Sequence, residues 1–161
     1  MQKLNMFGVG PKIFKVMFPC LLVAIVLSII YKEAFAFIPG GNRMLFYTGL
    51  ALIVFGVVMY FGSIPFLLKG VKETKLVKSG SFYFCCNPLY ASIIVFIVPG
   101  FSLMMNSWII AVTSVIGFIA FKIFIRGEYQ VLEQVFGDEY KKYRSETPEL
   151  FPLPLKKLFH F

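Results

Sequence analysis

Polar and apolar positions along this chain fall into long blocks and lack the short repeats of a soluble helix or strand. No Asp, Glu, Lys or Arg occurs between Lys15 and Lys32, between Arg43 and Lys69, or between Lys78 and Lys122. A helix needs about 20 predominantly apolar residues to cross the hydrocarbon core of a bilayer. The first block, 16–31, is short for that, but Lys15 and Lys32 can snorkel at its ends. The second, 44–68, is ample, and the third is long enough for two crossings. Pro99-Gly100 and Asn106-Ser107 offer the place where the third block folds in half. The pattern predicts an all-α integral membrane protein with four transmembrane helices, at about 14–37, 44–68, 88–105 and 107–125, and room for a fifth, partial one.

Composition agrees with the pattern. Of 161 residues 58% are hydrophobic and 15% charged, and the mean hydropathy of +0.80 lies far outside the soluble range. The length suits a single membrane domain over 1–161. A signal peptide is the alternative for the first block, since Lys3, Lys12 and Lys15 precede it. Tyr31-Lys32-Glu33 follows it, however, where a small-x-small cleavage site would be needed.

The net charge of +8 is arranged by side. Lys3, Lys12 and Lys15 precede span one; Lys69, Lys72, Lys75 and Lys78 separate spans two and three; Lys122, Arg126, Lys141, Lys142 and Arg144 follow span four. The positive-inside rule then puts both termini and the 69–90 connection in the cytoplasm, in the plasma membrane or a bacterial inner membrane. The lysines suit anionic lipid heads, and they form no separate basic patch of the kind nucleic acid needs. Cys20, Cys85 and Cys86 suggest no disulfide framework on a reducing cytoplasmic side. A lone His160 in the tail gives no metal site. With no Asp, Glu, Arg or His inside a span, a proton-coupled transporter or ion channel is disfavoured.

Polar residues collect in two cytoplasmic segments, 69–90 and 126–161. In the second, Tyr129, Leu132, Phe136, Tyr140 and Tyr143 recur at three- and four-residue spacing, which predicts an amphipathic helix. Asp138 and Lys142 form an i,i+4 pair, Gly137 is a place to bend, and Pro148, Pro152 and Pro154 end the helix. Such a helix either lies on lipid or covers the ends of the spans. Its acidic content favours the second, because lipid-surface helices are usually rich in Lys and Arg.

These two segments resemble the signature regions of the isoprenylcysteine carboxyl methyltransferase and phospholipid N-methyltransferase superfamily. The first match is Gly80-Ser81-Phe82 with Cys86-Asn87-Pro88-Leu89-Tyr90. The second, EYQVLEQVFGDEYKKYRSETPELFP at 128–152, carries Glu128, Leu132, Phe136-Gly137, Tyr140, Tyr143, Pro148 and Pro152. The resemblance runs from about residue 44 to 152. It implies S-adenosylmethionine as cofactor and a lipophilic or amphiphilic methyl acceptor from the bilayer: a prenylcysteine-like carboxylate, a phospholipid amine or a thiol. Carried onto this chain, the implied cofactor-binding residues are Gly80, Phe82, Asn87, Pro88, Tyr90, Glu128 and Tyr140. No catalytic residue is assigned.

Four positions depart from the family. Cys86 stands where it has Arg, Asn87 where it has His, Tyr129 where it has a second Glu, and Glu149 where it has Arg. Arg126 is a candidate to restore one of these charges. The departures keep open a non-catalytic membrane binding or scaffold protein of the same fold. Plainer roles also stand beside the functional ones. Glu128 can begin a helix, Asn87-Pro88 can start span three, the tyrosines can be interfacial anchors, and Cys85 and Cys86 can be buried small residues or palmitoylation sites.

Overall fold

The structure, a computed structural model, describes residues 8–151, so Lys3, Pro152, Pro154 and His160 lie outside the described residues. The described residues are helical, with no strand among them. Helix α1 spans Gly10–Ile30, α2 Arg43–Glu73, α3 Pro88–Met104 and α4 Trp108–Glu146. A 3₁₀ turn at Gly80–Tyr83 precedes α3. Three helices (α1, α2 and α4) are long and apolar enough to cross a membrane, and α3 is a shorter apolar helix.

The helix ends differ from the hydropathy blocks for local reasons. α1 starts earlier than 14, at Gly10, because Pro11 sits in its first turn, where the missing N–H leaves no bond unmade. It stops at Ile30, not at 37. Beyond it the chain turns and binds the α3–α4 corner, where the Asn106 side chain accepts the Ile38 N–H at 3.1 Å and donates to the Ile38 carbonyl at 2.7 Å. The Trp108 N–H donates to the Phe35 carbonyl at 3.0 Å beside them. α2 runs on to Glu73 and closes with Thr74 in the left-handed region. α4 does not end at 125, and at 39 residues it is about 60 Å long. Its charge-free part up to Phe121 is the part suited to hydrocarbon, and the residues from Arg126 onward project past it.

Gly137 interrupts α4 with φ 55 and ψ −132, a conformation suited to glycine. Beyond the bend, Asp138 pairs with Lys141 at 3.4 Å, its i,i+3 neighbour, and not with Lys142 at i,i+4 as the spacing predicts.

α1 packs along α4, α4 along α3, and α3 along α2, while α1 and α2 make no comparable contact. α2 and α3 cross where both lack a side chain: a Cβ on Gly100 would stand 2.7 Å from the Gly49 carbonyl oxygen. α3 widens into a π-helical turn at Ser92–Ile97 just before Pro99, whose ring would clash with the carbonyl four residues back in a regular helix. Ile110, Phe121 and Ile125 are buried at the centre, whereas large apolar residues such as Ile29, Val58 and Phe61 face outward. That outward apolar surface is expected of helices solvated by lipid.

Candidate functional site

A cavity of about 740 Å³ lies where α1 begins, α2 ends and α3 begins. Of the seven positions taken from the sequence, Phe82, Asn87, Pro88, Tyr90, Glu128 and Tyr140 line it. Gly80 does not. It has φ +64, and a Cβ there would stand 2.6 Å from the Phe66 ring. Its contribution is the turn and its packing on α2.

Glu128 lies inside α4 and does not begin a helix. Its carboxylate instead meets the start of α1: Oε2 accepts the Val9 N–H at 3.1 Å and the Tyr90 hydroxyl at 3.2 Å. An acid there faces the positive end of the α1 dipole. The approach requires Gly8, whose φ is +48 and whose missing Cβ leaves room for the Glu128 carboxylate and the Tyr90 hydroxyl. Burial pushes the Glu128 carboxyl above the usual carboxylate range, and the Val9 and Tyr90 hydrogen bonds draw it only partly back.

Pro88 occupies the first turn of α3, and Asn87 is its N-cap residue but makes no side-chain cap bond. The Asn87 amide points elsewhere, donating to the Tyr129 hydroxyl at 2.7 Å and to the Glu149 carbonyl at 3.1 Å. The Tyr129 hydroxyl in turn donates to Glu149 Oε1 at 2.9 Å, and Lys122 pairs with the same carboxylate. The Cys86 N–H donates to the Pro148 carbonyl at 2.8 Å, and its thiol reaches the Thr147 carbonyl. Cys86, Asn87, Tyr129 and Glu149 therefore share one local network. Arg126 is exposed and takes no part in it; the cations that do are Lys122 and Arg144, whose guanidinium stacks 4.0 Å from the Tyr129 ring.

The tyrosines of α4 turn inward. Tyr143 donates to the Phe82 carbonyl at 2.6 Å, tying α4 to the 3₁₀ turn. Tyr140 is 3% exposed, lines the cavity, and its hydroxyl has no hydrogen-bond partner among the described residues. Burial raises the pKa of Tyr129, Tyr140 and Tyr143, so all three are neutral hydroxyls at physiological pH. Cys85 is likewise inert, its thiol pushed up to about 12 by burial.

Sequence reasoning missed the start of α1 on this wall. Gly8-Val9-Gly10-Pro11 carried the signal, since a glycine pair before a helix-starting proline marks a close backbone approach. No protein-family model, no curated protein and no solved structure matches the chain.

Proposed function

We propose that the chain is a membrane-embedded methyltransferase that uses S-adenosylmethionine and methylates a lipophilic or amphiphilic acceptor drawn from the bilayer. One observation carries the reading. The two segments that resemble the superfamily's signature regions, some 40 residues apart in sequence, wall a single cavity, with Glu128 and Tyr140 among its lining residues. The volume is in the range of small-molecule sites. When bound, the cofactor supplies an electrophilic methyl group on a sulfonium. Glu128 would accept from its ammonium group in a charge-assisted hydrogen bond, and Asn87 and Tyr140 would serve its other polar atoms. Phe82, Pro88 and Tyr90 would exclude water and hold the methyl group in line with the acceptor.

In this reading α3 is a fourth membrane crossing, both termini and the 69–90 connection face the cytoplasm, and the part of α4 beyond Arg126 covers the site. Isothermal calorimetry with S-adenosylhomocysteine tests it: heat of binding, and competition with labelled cofactor, are expected. A folded protein that gives neither would refute the proposal.

A second reading, a non-catalytic membrane binding protein of the same fold, draws on the Asn87–Tyr129–Glu149 bonds, which turn these polar groups on each other. Labelled methyl in any lipid product excludes it.

A further inference from the structure

The cavity has a polar end and a closed apolar end. Glu128, Asn87 and Tyr140 stand at the first, with Lys12 beside them on the wall. Below Tyr90 the wall is apolar except for Tyr60. The deepest residue contributed by each helix is Met17 from α1, Tyr60 from α2, Ile94 from α3 and Phe124 from α4. Met17 and Ile94 are 6% and 4% exposed, and Phe121, one turn of α4 nearer the polar end than Gly117, is fully buried against the Tyr90 ring. The Met17 thioether rests in the space that a side chain at Gly117 would fill, and Ile94 closes the same spot, 3.5 Å from where that Cβ would be. Along α1 the distance from Val9 to Met17 is about 12 Å, well short of half a hydrocarbon core of about 30 Å.

We infer that Met17, seated on Gly117, sets the length of apolar tail that the cavity accepts, so that the preferred ligand is a short-tailed amphiphile. The inference deepens the methyltransferase reading and rests on it in taking that ligand to be the acceptor. The acceptor's reacting head would lie next to the cofactor held by Glu128, Asn87 and Tyr140, and its tail would point down to Met17. A longer tail would have to displace Met17 and Ile94 from Gly117 or leave sideways between α1 and α2.

The test is a series of n-alkyl carboxylates stepped by one methylene, whose acidic head suits Lys12. Each is titrated calorimetrically into the protein in nanodiscs, with empty nanodiscs as reference. Affinity is expected to climb about fourfold per methylene and then stop at one length. Met17→Ala removes three heavy atoms and moves the stop to tails longer by about three methylenes. Gly117→Ala pushes the thioether into the cavity and moves the stop the other way, which keeps the test decisive should Met17→Ala fail to fold. A climb without a stop overturns the inference, as does a stop at the same length in both variants. The same series is then offered with labelled S-adenosylmethionine. A stop that moves as expected, in a protein that gives no heat of binding with S-adenosylhomocysteine, would leave the length limit standing and remove the methyltransferase reading; no methyl transfer to the series alone would remove only carboxylates as the acceptor.

Discussion

The Asn87 side-chain amide donates to the Tyr129 hydroxyl at 2.7 Å, and Glu149 is bonded to both residues. The three polar side chains thereby satisfy one another. Tyr129→Phe leaves one buried Asn87 amide proton without its acceptor and takes one hydrogen bond from the Glu149 carboxylate, which keeps its pairing with Lys122. It should cost about 1–3 kcal/mol, seen as a lowered melting temperature. Tyr129→Glu should cost more, because it sets two carboxylates face to face, and adding Glu149→Arg should recover most of the loss. A double-mutant cycle in which the two changes simply add would show that the positions are not coupled.

Glu128 gives a pH dependence whose sign is fixed by its burial. Its pKa in the folded protein is raised above the ordinary 4.5, so the folded state holds this proton more tightly than the unfolded chain does. The stability it contributes is complete below about 4.5 and is lost as pH rises through the raised value. Glu128→Gln, neutral throughout, should flatten that slope in melts taken from acid to neutral pH. Binding runs the opposite way. S-Adenosylhomocysteine affinity should increase over the same window as the carboxylate ionises, and in Glu128→Gln it should be flat and about fivefold weaker at neutral pH. Unchanged affinity in the variant would remove Glu128 from the site.

Gly8 should prove to be coupled to Glu128 although 120 residues separate them. Gly8→Ala is strained at φ +48 and drives a methyl group into the Glu128 carboxylate. A loss of about 1–3 kcal/mol is expected in the wild-type background. In a Glu128→Ala background only the backbone strain remains, so the same change should cost clearly less. Equal losses in the two backgrounds would mean that the α1 start does not press on Glu128.

What was legible in the sequence follows from the scale of each interaction. The charge-free blocks locate α2, α3 and the first half of α4, because a low-dielectric core excludes charge over a whole span. They misplace the end of α1, since the register of 31–37 is set by Asn106 and Trp108, some 70 residues away. They also hide the continuity of α4: charge begins at Lys122 while the helix hydrogen bonds run on to Glu146. Six of the residues that line the cavity were named from motif spacing, because 82–90 and 128–140 are each one short run of backbone. Val9 was not, because what it contributes is a backbone N–H, and no residue type announces that.

Asn106 holds the opposite end of the bundle and is where a fold-level test is cleanest. Its φ of 49 is one that most side chains resist, and its amide makes both bonds to Ile38. Asn106→Ala loses the two hydrogen bonds and keeps the strain, whereas Asn106→Gly loses the bonds but relieves the strain. Alanine should therefore be the more damaging, by about 1 kcal/mol, with glycine between it and the wild type. Both variants leave Glu128 and Tyr140 untouched at the far end of α4, so S-adenosylhomocysteine binding below the melting transition should stay within about twofold of wild type. Equal melting temperatures for the two variants would show that backbone strain at this corner carries no weight. A large loss of binding in either would show that the α3–α4 corner and the cavity are coupled through the length of the helices.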